Sequence, residues 1–98
     1  MRQLHVYVLI SLQDRQFYVG TTTNILRRTR QHELGQTIST RNRRPLRLLL
    51  TETFHNHQDA AHRERYFKTT KGRSMLRVVL RNTLEKIDST CYNRHVPG

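Results

Sequence analysis

The chain has no tryptophan, a single cysteine, two prolines, four glycines and only seven acidic residues in its 98. Each shortage excludes something. Cys91 alone cannot close an internal disulfide and has no C-x-x-C partner, which points to a reducing compartment. No internal repeat or low-complexity tract is visible. No apolar run approaches the ~18 residues of a membrane span, and the N-terminus lacks the charged, apolar and small-residue succession of a secretory signal. A cytoplasmic or nucleoid-associated protein is expected, neither membrane-bound nor secreted.

Positive charge is what the sequence has in excess. Eighteen Lys and Arg against seven Asp and Glu give a net charge of +11, and most of the basic residues are Arg, whose planar fork suits bidentate phosphate contacts. The basic residues run through the whole chain rather than forming a tail, so a polyanion is the natural partner of the folded domain. At 35% hydrophobic, with the apolar residues gathered into periodic runs, the chain is expected to fold as one small domain around a modest core.

In LHVYVLISL (4–12), Leu4, Val6, Val8, Ile10 and Leu12 share one face while His5, Tyr7, Leu9 and Ser11 share the other. That alternation predicts a strand with one apolar and one mixed face. After the polar QDRQ segment, FYVG (17–20) returns as its antiparallel partner. Thr22, Thr23 or Asn24 can cap a helix over 25–34, which Gly35 closes. A polar loop, TISTRNRR (37–44), leads to Pro45 and a third strand, PLRLLLTETF. Two more helices are expected at 58–70 and 74–87, broken at Lys71-Gly72, the second with an apolar stripe of Leu76, Val79, Leu80, Thr83, Leu84 and Ile87. Residues 88–98 show no period and are expected to be a flexible tail on a domain spanning 1–87.

The chemistry-bearing stretch is FYVGTTTNILRRTRQH (17–32). On an arbitrary basic helix, Arg27, Arg28 and Arg30 would be a solvated face. Here Arg28 and His32 are i and i+4 on one face, and their helix directly follows the strand bearing Tyr18, so the three can converge near the strand end. In QDAAHRERYFK, Glu64 lies four residues after Ala60 and three before Phe67, a carboxylate interrupting an apolar stripe. Spacing leaves two reasons open: a buried ion pair with an arginine, or a divalent metal. His55, His57 and His62 have no cysteine pair beside them and are not read as a zinc site.

These pieces, in this order, resemble the GIY-YIG endonuclease superfamily, specifically its small single-domain members. VYV supplies Tyr7, YVG supplies Tyr18 and Gly20, and a Thr/Asn turn then leads into an arginine-bearing helix ending in QH. Arg43-Arg44-Pro45 and the AAHRE segment with Glu64 follow, and the likeness runs from residue 4 to about 84. The first motif reads His5-Val6-Tyr7, without the family's Gly and Ile, and Leu76, Arg77, Val78 and Val79 stand where several members keep a phosphate-holding Asn.

The resemblance implies an α+β fold, a three-stranded antiparallel sheet flanked by about three helices, that hydrolyses DNA phosphodiester bonds with Mg²⁺ or Mn²⁺. It implies Tyr7, Tyr18, Arg28, His32 and Glu64 as the catalytic set, with Glu64 as metal ligand and Arg28 as the phosphate-contacting arginine. Tyr7 would activate the attacking water once its proton is drawn off through His32 or a water, with nearby cations lowering its pKa. Arg27, Arg30, Arg41, Arg43, Arg44, Lys71 and Arg73 are expected along the nucleic acid, with Lys71, Arg73 or Arg77 replacing the missing Asn. Little sequence specificity is expected, in a repair, recombination or mobile-element setting, and cutting both strands would need a homodimer or two visits. Two alternatives stay open: a non-catalytic nucleic-acid-binding module of the same fold, against which the five intact residues argue, and an RNA nuclease.

Overall fold

In a computed structural model, residues 3–95 are described, with side-chain surroundings through Asp88. The elements are β1 (Leu4–Ser11), β2 (Phe17–Thr22), α1 (Ile25–Glu33), β3 (Leu46–Phe54), α2 (His57–Phe67), α3 (Thr70–Val79) and α4 (Arg81–His95), with a 3₁₀ turn at Arg41–Arg43. The three strands form one antiparallel sheet in the order β2-β1-β3, flanked among the described residues by four α-helices, where about three were expected.

Strand alternation decides what each face of the sheet does. Val6, Val8 and Ile10 of β1 and Phe17 and Val19 of β2 pack with Ala60 and Phe67 of α2, Leu76 of α3, and Leu80 and Ile87. Full burial of one such large side chain stabilises the fold by about 1.5–3 kcal/mol. Tyr7 and Leu9, each 2% exposed, belong to the opposite face. The register sets Leu9 against Tyr18 and Tyr7 against Gly20, so both tyrosines share that second face.

The short helix α1 is held at both ends. Asn24 Oδ1 accepts the Arg27 N–H at 3.0 Å, and at the C-terminus Gly35 N–H donates to His32 O while Gln36 N–H donates to Gln31 O. These caps set where the helix starts and stops, and the His32 bonds to Tyr7 and Thr40 tie it to the sheet and the following loop.

The C-terminal half departs from the sequence reading at three points. The break falls at Lys68–Thr69 and not at Lys71-Gly72: Thr69 Oγ1 accepts the Gly72 N–H at 3.0 Å and starts α3 one turn earlier. Gly72 serves a close approach, since a Cβ there would stand 2.0 Å from the Tyr66 carbonyl oxygen. The stripe expected on one helix is divided between α3 and α4 at Leu80, whose φ of −101° ends α3; Leu76, Leu80 and Ile87 stay buried while Val79 is 62% exposed. The backbone of α4 continues through His95 where an aperiodic tail was expected, and residues 96–98 lie outside the described residues.

Candidate active site

Tyr7, at the centre of β1, projects across β2 at Gly20. A Cβ on Gly20 would stand 2.6 Å from Tyr7 Oη, so the tyrosine can lie there only over a glycine. Tyr7 Oη and His32 Nε2 are 2.9 Å apart in a buried hydrogen bond, and the other ring nitrogen, Nδ1, is 2.7 Å from Thr40 Oγ1. Tyr18 stacks edge-on to His32, with ring centroids 5.1 Å apart, and its hydroxyl accepts from Ser39 Oγ at 3.3 Å. The two tyrosine rings are 6.3 Å apart. Three of the five residues expected to be catalytic are thus in direct contact.

The remaining two, Arg28 and Glu64, act on this trio through their charge. Burial pushes the Tyr7 hydroxyl well above the usual tyrosine range, the Tyr18 and Glu64 charges raise it further, and Arg28 opposes them only in part. The expectation that nearby cations lower the Tyr7 pKa is therefore overturned: its hydroxyl is buried beside Tyr18, Glu64 adds to the effect, and together these outweigh one guanidinium. Burial and then the Arg28 charge hold His32 below the ordinary histidine value, so the imidazole is neutral at pH 7. A neutral imidazole with Nε2 at the Tyr7 hydroxyl can take its proton.

Among the described residues Glu64 has no buried arginine partner of the kind a structural reading asks for. Its Oε2 accepts from Lys68 Nζ at 3.1 Å, an i, i+4 pair with the lysine side chain 52% exposed. The paired carboxylate of this region is Glu52, which takes Arg63 in a fork, Nε at 2.7 Å and NH2 at 3.1 Å. Among the described residues no group of three or more His, Cys, Asp or Glu side chains is placed to hold a metal. A single half-buried carboxylate whose charge reaches the Tyr7 hydroxyl fits a hard cation such as Mg²⁺, which fills most of its octahedron with water and phosphate oxygens.

Clefts open along α1. One of about 720 Å³ is lined by Arg28, Gln31 and the loop residues Gln36, Thr37, Ile38 and Ser39. The neighbouring Arg27 points elsewhere, into a polar cleft of about 330 Å³ with Gln3, His5, Thr23 and Asn24. Arg30, Lys71 and Arg73 are exposed. Arg41 lines a third cleft with Glu33, Asn42 and Arg44. Arg43 and Arg44, expected at phosphates, hold the fold as well. Arg43 grips Asp14 with Nε at 2.7 Å and donates to the Gln16 carbonyl, while Arg44 donates to the Arg41 carbonyl and packs beneath Gly35. Arg77, a candidate for the missing Asn, lies over the Phe17 ring at 4.9 Å.

Nothing in the sequence marks Thr40 or Ser39 as functional. In TIST they look like any polar loop, and only the return of that loop onto β2 and α1 gives them partners, Tyr18 for Ser39 and His32 for Thr40.

These protonation states predict the pH dependence of stability. His32 binds its proton more weakly folded than unfolded, so its contribution is present above the ordinary value of 6.5 and is lost as pH falls below it. Asp14 has the same sign at lower pH: Arg43 holds it down to about 2, so its contribution is present above the ordinary 3.8 and is lost from there toward about 2. The melting temperature is expected to fall in two stages on acidification, with His32→Asn flattening the upper stage and Asp14→Asn the lower. A wild-type melting temperature unchanged from about pH 7.5 to about 5 would contradict a His32 that is neutral when folded.

The chain is similar to known proteins over most of its length. The family model described as the GIY-YIG catalytic domain matches residues 3–77. A UPF0213 protein of Natronomonas pharaonis is 38% identical over 80 residues, covering 81% of this chain and 93% of the relative. The UPF0213 protein YazA of Bacillus subtilis is 29% identical over 86 residues, covering 85% of this chain and 87% of the relative. Among solved structures, the solution NMR structure of a UPF0213 protein of Bacillus halodurans superimposes with a TM-score of 0.51 at 30% identity, covering 79% of this chain and 84% of that one. With the matched span taking in Tyr7, Tyr18, Arg28, His32 and Glu64 in a single fold, the chain belongs to the GIY-YIG nuclease superfamily, alongside the UPF0213 proteins.

Proposed function

We propose that the chain is an endonuclease that hydrolyses DNA phosphodiester bonds with Mg²⁺ or Mn²⁺ and with little preference for sequence. The observation that carries this reading is the buried 2.9 Å bond from Tyr7 Oη to a neutral His32, with the charges of Arg28 and Glu64 beside it.

Because Tyr7 is hard to ionise, a standing phenolate is not the base. The attacking water gives its proton to Tyr7 Oη as Tyr7 gives its own to His32 Nε2, so no free phenolate forms. Proton acceptance leaves His32 as an imidazolium in a setting that disfavours it, which drives the proton out again after hydrolysis. Arg28 supplies a planar pair of donors for the charge that develops on the phosphate oxygens. Glu64 would hold the divalent cation, which supplies charge neutralisation at the leaving oxygen. The cleft that Arg28 lines with the 36–39 loop is where a strand would lie.

Binding and cutting separate experimentally. Affinity for DNA is expected to fall with salt along a log–log slope of several units, because each neutralised phosphate releases about 0.9 counterions from duplex DNA. Arg30→Ala and Arg41→Ala should each flatten the slope by about one unit and leave the saturated single-turnover rate almost unchanged. Binding that is insensitive between low and moderate salt would contradict a polyanion partner. RNA cut in preference to DNA would replace the substrate while keeping the chemistry.

A further inference from the structure

His32 has two ring nitrogens, and the proposed relay uses one of them. The other is occupied by Thr40, a residue with 0% exposure in an otherwise polar loop, whose Oγ1 lies 2.7 Å from His32 Nδ1. A threonine buried to this extent is tied in by backbone as well: Thr40 N–H donates to Thr37 O, and Arg43 N–H donates to Thr40 O.

The loop itself is fastened to the strand that carries Tyr7. Ser11, the last residue of β1, donates from Oγ to the Arg43 carbonyl at 2.6 Å, and Arg43 is forked onto Asp14 in the β1–β2 turn. The residue before Thr40 is Ser39, which reaches the Tyr18 hydroxyl. Consecutive loop residues therefore touch both aromatic partners of Tyr7, and the same loop walls the Arg28 cleft through Gln36, Thr37, Ile38 and Ser39.

We infer that Thr40 is a positioning residue for the reaction: its Oγ1 accepts the Nδ1–H of His32 and so keeps Nε2 bare and aimed at the Tyr7 hydroxyl. An imidazole proton fixed on Nδ1 can receive a proton on Nε2 only, which gives the relay its direction. The opposite tautomer would present an Nε2–H to Tyr7 and leave its proton nowhere to go. Tying the histidine to the cleft loop also means that a strand seated against the loop bears on the ring that takes the proton. This inference rests on reading Tyr7 and His32 as a proton relay.

The test reads the ring directly, in protein labelled with ¹⁵N and free of DNA and metal. Proton–nitrogen correlations of the imidazole should show His32 as the Nδ1–H tautomer in wild type and in Thr40→Ser, and as a mixture or the Nε2–H tautomer in Thr40→Val. Single-turnover cleavage should fall about 10- to 100-fold in Thr40→Val, the range typical of a lost orienting partner, and recover most of that in Thr40→Ser. A wild-type His32 in the Nε2–H form, or a Thr40→Val that keeps the Nδ1–H form and full rate, would overturn the inference. Because the tautomer is read without substrate, a Thr40-dependent tautomer in a protein that cuts nothing supports the positioning and refutes the nuclease reading instead.

Discussion

Arg28→Ala is expected to lose about 10² to 10³ in single-turnover cleavage while remaining folded, and Arg27→Ala to keep its rate and lose affinity. The two residues are adjacent, and consecutive side chains on a helix point about 100° apart, so one helix sends them to different places. Arg28 is half-buried and close enough to act on both Tyr7 and His32, and it lines the cleft beside Ser39. Arg27 is exposed and belongs to the cleft with Gln3 and His5. A donor that meets charge as it builds changes the rate, whereas a peripheral phosphate contact changes affinity. Lysine at position 28 should rescue poorly, because a point charge does not reproduce the planar two-pronged contact. Measured at saturating protein, equal losses at both positions would show that the helix does not sort them as described.

Glu64→Gln is expected to abolish metal-dependent cleavage with little change in stability and with DNA binding kept or tightened. The stability expectation follows from the partner. A single i, i+4 contact with Lys68, whose side chain is half exposed, contributes about 0.3–0.5 kcal/mol, so its loss should move the melting temperature by no more than about 1–4 °C. Removing a negative charge near phosphate favours binding. The comparison is with Glu52, whose fork to Arg63 is half-buried: Glu52→Gln should cost more stability and leave the chemistry intact. If Glu64→Gln melted far lower and the folded fraction still cut at the wild-type rate, the carboxylate would be structural.

Much of this arrangement is legible in the residues because it depends on local rules. The alternation of LHVYVLISL fixes which face of β1 carries Tyr7, and Asn24 and Gly35 bracket α1 closely enough to set Arg28 and His32 on one side of it. The hairpin of β1 and β2 is read the same way, and its register then lays Tyr7 across Gly20, which has no side chain to obstruct it.

What could not be read depends on distant parts of the chain meeting. The direction of the Tyr7 pKa is set by burial, a property of the packed molecule; the surplus of arginine in the sequence suggests the opposite sign. Arg43 looks like a phosphate contact in RNRRP, yet Asp14, far earlier in the sequence, takes its guanidinium. Thr40 gains its meaning from α1 alone. The division at Leu80 carries no Gly or Pro, so the apolar stripe runs across it unbroken, and Gly72, which reads as a helix breaker, is instead the point where α3 touches the end of α2.

The most direct measurement is cleavage of supercoiled plasmid, single-stranded and branched DNA by the wild-type protein in Mg²⁺, in Mn²⁺ and in EDTA, with Glu64→Gln alongside. The account predicts new ends on at least one of these DNAs with either cation, none in EDTA, and none from Glu64→Gln although it still binds. Tight, salt-sensitive binding by the wild type with no cleavage in either cation, or cleavage that persists equally in EDTA and in Glu64→Gln, would contradict it.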